Sequence, residues 1–183
     1  MPRSWRTIVT KHLTNREKLA IAIEIKKRKD LKRYEESYQD FASEQIRILP
    51  KDAGRGFIPL EFNTAQQIVN NAIEKQLKET GKVRAIILKA RQMGLSTYAT
   101  GRVYWKSYLT PFNKSVVMAH DSATSDALFS MSRNIIQNMR PEFTPILKKS
   151  NSKEIGFEHN DSGYRLYTAG SPEAGRGTTP TIA

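Results

Sequence analysis

The sequence predicts an α/β fold with parallel strands, and three observations carry that prediction. Two short apolar runs, Arg84–Leu88 and Ser115–Ala119, have the length and composition of buried strands. Each run is followed by a helical stretch, Ser96–Leu109 between Gly94 and Thr110-Pro111 after the first, and the stripe Leu128, Met131, Ile135 and Met139 after the second. Strand, helix, strand, helix is the order of parallel strands joined by helical crossovers. The expected parallel core runs from Lys82 to Met139, with the two apolar runs as neighbouring strands.

The flanking elements follow from caps and breakers. Asn15–Leu49 contains neither Pro nor Gly and reads as helical, with Thr14 or Asn15 as its cap and Glu17 and Lys18 in its first turn. Tyr34, Tyr38, Phe41 and Ile48 fall on one stripe, whereas Leu19, Ile21, Ile23 and Ile25 alternate, so the first part of this segment fits strand as well as helix. The KKRKDLKR run from Lys26 to Arg33 is a charged helical face, solvated or in contact with a partner. Pro50-Lys51-Asp52-Ala53-Gly54-Arg55-Gly56 has linker composition, which divides the chain into 1–56 and 57–183. Thr64–Lys78 reads as a helix with Ile68, Ala72 and Leu77 near one face, ended by Gly81. Ser122 or Thr124 is the expected cap of the helix that ends before Pro141. Glu154–His159 and Tyr164–Thr168 alternate as short strands around the turn Asn160-Asp161-Ser162-Gly163, and a glycine-rich loop follows.

Composition narrows the function classes. The 183 residues carry 30 Lys+Arg against 18 Asp+Glu, a net charge of +12 that favours polyanionic partners. The excess is spread evenly, 14 basic against 8 acidic residues in 1–56 and 16 against 10 in 57–183, so charge alone locates no nucleic-acid site. No apolar run approaches the length of about 20 residues that spans a membrane, and the N-terminus lacks the apolar stretch of a secretory signal. The absence of cysteine removes disulfides and thiolate metal sites, and fits an intracellular protein. His12, His120 and His159 lie without metal-ligand spacing.

The strongest chemical signal is Leu88-Lys89-Ala90-Arg91-Gln92-Met93-Gly94-Leu95-Ser96-Thr97, between the first apolar run and its helix. A phosphate-binding loop belongs there, because backbone N–H groups and a helix N-terminus converge on one anion. Against the pattern G-x-x-x-x-G-K-[ST], Gly94 and Ser96 are in place, Lys89 replaces the first glycine and Leu95 the lysine. Lys89 or Arg91 could reach across the loop to the same phosphate oxygens, and the Ser96 hydroxyl suits Mg²⁺. An ordinary strand-to-helix turn with surface cations explains the same spacing.

The wording A-R-Q-M-G-L-S-T over Ala90–Thr97 resembles the Walker A motif of the large terminase subunits, the DNA-packaging ATPases of tailed bacteriophages. Some members keep the lysine at its usual place and others carry it at the first position, as Lys89 would here. Phe57-Ile58-Pro59-Leu60-Glu61-Phe62-Asn63-Thr64-Ala65-Gln66 is similar to that family's adenine-binding motif, with Gln66 as the base-reading amide. Ser171-Pro172-Glu173-Ala174-Gly175-Arg176-Gly177 resembles the loop ahead of the Walker B strand, where Arg176 would be an arginine finger for a neighbouring subunit's ATP. The likeness covers roughly residues 57–183.

What the resemblance implies is a P-loop NTPase core of the RecA-like class, truncated before the Walker B strand and preceded by an N-terminal helical segment. It implies a motor that uses ATP and Mg²⁺ to drive double-stranded DNA into a procapsid. Lys89, Arg91 and Arg176 would be its catalytic cations. Gln66 and Lys89–Thr97 would hold nucleotide, and Ser96 the metal. The implied partners are double-stranded DNA, a portal protein, a small terminase subunit and further copies in a ring. The implied location is the host bacterial cytoplasm, with no membrane. The acidic pair such an ATPase needs would lie beyond Ala183, so the chain is expected to be inactive in hydrolysis by itself. A helicase-like translocase shares these features, and a non-enzymatic nucleic-acid-binding remnant fits the missing acids.

Overall fold

The computed structural model describes residues 13–50, 54, 56–151 and 153–170. They form two compact units, divided between Ser37 and Tyr38.

The smaller unit is helix α1, Asn15–Glu36. Thr14 caps it in a reciprocal box: Glu17 N–H donates to the Thr14 hydroxyl at 3.3 Å, and Thr14 N–H donates to the Glu17 carboxylate at 2.7 Å. The backbone bond, then the side-chain bond, to Thr14 holds the Glu17 carboxyl below its usual range. The alternating Leu19, Ile21, Ile23 and Ile25 are helical and exposed, as helix formers around them and the capping box outweigh a period-two pattern. In the basic run, Arg28 pairs with Glu24 at 3.0 Å and Arg33 with Asp30 at 3.2 Å, one turn apart.

The single helix expected over Asn15–Leu49 is broken. Ser37 is extended (φ −140°, ψ 109°) and closes α1 by donating its N–H to Arg33 O. Helix α2 is Tyr38–Gln45, with Tyr38, Phe41, Ala42 and Gln45 buried. Strand β1, Arg47–Ile48, then pairs antiparallel with β2, Ile58–Pro59.

The larger unit is an α/β structure with a mixed sheet. Helix α3 is Thr64–Thr80, helix α4 is Leu95–Leu109, strand β3 is Lys114–Ala119 and helix α5 is Ser122–Asn138. A short 3-10 turn, Pro141–Phe143, leads to β4 (Leu147–Ser150), β5 (Glu154–Phe157) and β6 (Gly163–Thr168). The sheet order is β3-β6-β5-β4, with β3 and β6 parallel, Ser115 opposite Tyr164, and the other pairs antiparallel. The expected hairpin is present. Its turn is tied to the end of α4, where Asn160 Nδ2 donates to Ser107 O at 3.0 Å and to Tyr108 O at 2.9 Å.

Three expectations are corrected. Arg84–Leu88 is not a strand: the parallel neighbour of β3 is β6, and residues 81–90 carry no regular structure and are exposed. An apolar run favours burial, but a strand also needs a ladder partner, and among the described residues none lies beside this one. Gln76 holds only its start, its Oε1 accepting from Arg84 N–H at 2.8 Å. The cap of α5 is Asp121, not Ser122 or Thr124; its carboxylate accepts from both Thr124 N–H and Thr124 Oγ1 at 2.8 Å. Those bonds, the backbone one foremost, lower the Asp121 pKa. In α3 the apolar Ile68, Ala72 and Leu77 are exposed, and Gln66 and Asn70 are buried instead.

That inversion has a cause in α4. Tyr98 Oη donates to Asn70 Oδ1 at 3.0 Å, and Arg102 pairs with Glu74 at 2.8 Å while donating to Asn70 Oδ1 at 3.2 Å. Hydrogen bonds, not apolar packing, orient α3 on α4. The rest of α4 is aromatic. Tyr98, Tyr104, Trp105 and Tyr108 are buried, and Tyr104 and Tyr108 stack at 6.0 Å and meet Phe157 edge-on. Their hydroxyls are satisfied: Tyr104 Oη donates to Met139 Sδ at 3.0 Å and Tyr108 Oη to Phe143 O at 2.8 Å. Burial pushes the Tyr104 and Tyr38 hydroxyls well above the usual phenol range.

Two predictions follow from this packing. Gly101 lies where α2 crosses α4, and a Cβ there would sit 2.5 Å from Tyr38 Oη and 2.7 Å from Ile46 Cδ1. Gly101→Ala should lower stability in urea unfolding by about 1–3 kcal/mol through overpacking, although alanine is the better helix former. The second concerns alkali. A raised phenol pKa means that the folded state keeps its proton where the unfolded state, near the free value of 10.0, has lost it. That stability is intact below the free value and falls as pH rises through the higher folded values. Ionisation of Tyr38 and Tyr104, followed by residue-resolved NMR, should therefore coincide with loss of near-UV circular dichroism above pH 10.0. A tyrosinate at either residue in a fully folded protein would contradict it.

Candidate functional site

The candidate loop enters α4, so what seats α4 also seats the loop. Gly94 is the residue before the helix and has φ +69°, a left-handed conformation glycine adopts without penalty. Gln92, two residues earlier, is left-handed as well at φ +66°. Left-handed residues alternating with ordinary ones turn successive N–H groups toward one side, forming a concavity for an anion. Gly94 supplies no side-chain cap. The first-turn N–H groups of Leu95, Ser96 and Thr97 therefore face outward from the helix end, where the macrodipole is positive.

The side chains divide between loop surface and core. Lys89, Ala90, Arg91, Gln92, Met93 and Ser96 are exposed and Thr97 half-buried. Lys89 Nζ donates to Ala90 O at 3.4 Å, folded back along its own loop. Leu95, at the position of the usual lysine, is 7% exposed and belongs to the core. A lysine there would place its charge at the start of the aromatic interior, which gives a physical reason for finding the cations earlier, at Lys89 and Arg91.

Gln66 is 3% exposed and both ends of its amide are engaged inside the chain. Its Oε1 accepts from Asn63 N–H at 3.0 Å, completing a capping box in which Asn63 Oδ1 accepts from Gln66 N–H at 3.0 Å. Its Nε2 donates to Gly94 O at 2.9 Å. Asn63 Nδ2 donates to Met93 O at 3.3 Å. The structure thus brings Gln66 together with the loop. Sequence reading had singled out Gln66 but missed Asn63, although N-x-x-Q before a helix is itself a cap signature.

Beside the loop, Thr97 lines a cavity of about 170 Å³ with Phe57, Ile48, Arg47, Met131 and Ile135. Phe57 is therefore near the loop's end, as Gln66 is near its centre. Arg176 and the rest of Ser171–Gly177 lie outside the described residues. A wider cavity of about 370 Å³ opens on the sheet, and neither Gln66 nor any residue of Lys89–Thr97 lines it. It is lined by Lys114, Lys148, Lys149, Arg165, Glu154 and Asp161, among others. Its charges are largely paired: Lys148 meets Asp161 at 2.8 Å and Arg165 meets Glu154 at 3.1 Å. The hydrogen bond from Lys148 lowers the Asp161 pKa and raises that of Lys148.

Among the described residues no group of three or more His, Asp or Glu side chains is placed to hold a metal ion, and no helix is long and apolar enough to cross a membrane. A divalent ion at the loop would take the exposed Ser96 hydroxyl as a ligand, with water or phosphate oxygens completing its shell. Compared with models of known protein families the chain matches none, and no curated protein matches it.

Proposed function

We propose that Lys89–Thr97 is a phosphate-binding loop, and that the chain is the nucleotide-binding part of a DNA-packaging motor similar to the large terminase subunits. The observation that supports this reading best is the uncapped N-terminus of α4, preceded by left-handed Gln92 and Gly94 and flanked by exposed Lys89, Arg91 and Ser96. In this reading the core belongs to the P-loop class. The N–H groups of Gln92–Thr97 cradle the phosphates, and Lys89 or Arg91 neutralises them. Ser96 contributes its hydroxyl to Mg²⁺ carried in with ATP. The recess beside Thr97 is lined by Phe57, Ile48 and Met131 together with Arg47 and Asn134, a mixed lining of the kind that packs on a base face and meets its polar edge. Arg176 acts toward a neighbouring subunit, and the basic surface meets double-stranded DNA. The portal, small-subunit and ring partners, and the host-cytoplasm setting, rest on the sequence resemblance alone.

The test is equilibrium binding of ATP with and without Mg²⁺. Lys89→Ala and Arg91→Ala should together weaken ATP binding by at least about tenfold, the scale of one lost charge-assisted hydrogen bond. Ser96→Ala should leave metal-free binding intact and remove the gain that Mg²⁺ gives. Unchanged affinity in the Lys89/Arg91 double variant would refute the loop as the phosphate site. Gly94→Ala should also abolish binding, because φ +69° strains any other residue and the new Cβ would lie 2.9 Å from Gln66 Nε2.

A further inference from the structure

We infer that Asn63 and Gln66 are positioning residues that latch the candidate phosphate loop, and that Gln66 holds the loop in place of reading the base. The inference rests on the phosphate-loop reading for its purpose but not for its geometry. Each side chain has one acceptor and one donor group, and the two groups do different jobs. The oxygens, Asn63 Oδ1 and Gln66 Oε1, accept from each other's backbone N–H and cap α3. The amide nitrogens point the other way, to Met93 O at 3.3 Å and Gly94 O at 2.9 Å.

Those two carbonyls are consecutive, and they sit beside the left-handed Gln92 and at the left-handed Gly94. Drawing both carbonyls toward α3 turns the adjoining peptide N–H groups away from α3, to the outer side of the loop. The Gly94 carbonyl also accepts from Tyr98 N–H at 3.0 Å, so one atom ties the latch to the first turn of α4. A loop held this way loses little entropy when an anion arrives. One N–H of the Gln66 amide goes to Gly94 O, its Oε1 accepts from Asn63 N–H, and the residue is buried, so the remaining N–H and lone pair have little access to a base. Turning the amide toward adenine would require it to release the loop.

Substitutions can separate latch from cap. Gln66→Glu keeps an acceptor for Asn63 N–H and loses the donor to Gly94. Asn63→Ser keeps a good N-cap and is too short to reach Met93. In the ligand-free chain, backbone amide order parameters of Gln92–Leu95 should fall from about 0.85 toward 0.6 or below in both variants, with those of α3 unchanged. A loop as rigid as in the parent chain, or an α3 loosened to the same degree, overturns the latch.

A second measurement uses tripolyphosphate and ATP as probes with the uncharged variant Gln66→Met, which places no new negative charge beside phosphate. Both affinities should fall by the same factor, about fivefold for one lost hydrogen bond. A loss confined to ATP, with tripolyphosphate binding intact, assigns the amide to the base and overturns the inference. If the parent chain binds neither probe while its loop still loosens in Gln66→Glu and Asn63→Ser, the latch stands and the phosphate reading falls.

Discussion

The burial of helix α4 is the constraint on which the larger unit depends. Its aromatic residues touch every layer: Tyr98 reaches α3, Tyr104 reaches Met139 at the end of α5, and Tyr108 reaches Phe143 and the sheet. Tyrosine is expensive to bury unless its hydroxyl finds a partner, and each of these does. Satisfying them fixes the rotation of α4 about its axis, because an aromatic side chain cannot exchange one hydrogen-bond partner for another by a small shift. Gly101 then permits α2 to cross closely enough for Tyr38 Oη to donate to the Tyr98 carbonyl at 2.9 Å.

The candidate site inherits this rigidity. With α4 fixed, its N-terminus is fixed, and Leu95 becomes the first residue of the core. A lysine in place of Leu95 would carry its charge at the start of the core, where burying it costs several kcal/mol. Lys89 and Arg91, in the preceding stretch, are both exposed. Asn63 and Gln66 hold the loop from the opposite side. The polar contacts among α3, the loop and α4 form one connected set, from Gln66 and Asn63 through Gly94 to Tyr98, Asn70, Arg102 and Glu74. Arg102 also lies over the rings of Trp105 and Tyr38 at 5.4 and 5.5 Å, so its charge is packed as well as paired.

The larger unit has apolar surface that the described residues leave uncovered. Ile86 and Leu88 are fully exposed, as is much of Ile68, and Met118 is exposed on strand β3, which pairs on one side with β6. The charge-paired cavity lies on the sheet, between Lys114 and Arg165. The run Arg84–Leu88 immediately precedes the loop, so the loop is well anchored to α3 and α4 and weakly anchored on the side it enters from.

By itself the sequence determined what depends on short-range chemistry. The spans of helices α3 and α4 were legible from their bounding breakers, Gly81 after the last turn of α3, where it is left-handed at φ +68°, and Thr110-Pro111 after α4. Strand β3 and the β5–β6 hairpin were legible from apolar runs and an Asn-Asp-Ser-Gly turn. The loop from Lys89 to Thr97 was legible from Gly94 and Ser96, because few residue types turn a chain that tightly and begin a helix. Tertiary structure alone decided the rest. The break at Ser37 follows no local signal. Arg84–Leu88 has strand composition, but pairing is a property of two segments, and β6 took the place beside β3. Which face of α3 is buried was decided by Tyr98 and Arg102 on another helix, whose hydrogen bonds draw Asn70 and Glu74 inward and leave Ile68 outside. The two functions of Gln66, capping its own helix and holding a loop nearly thirty residues away, meet in one amide that only the folded chain brings to Gly94.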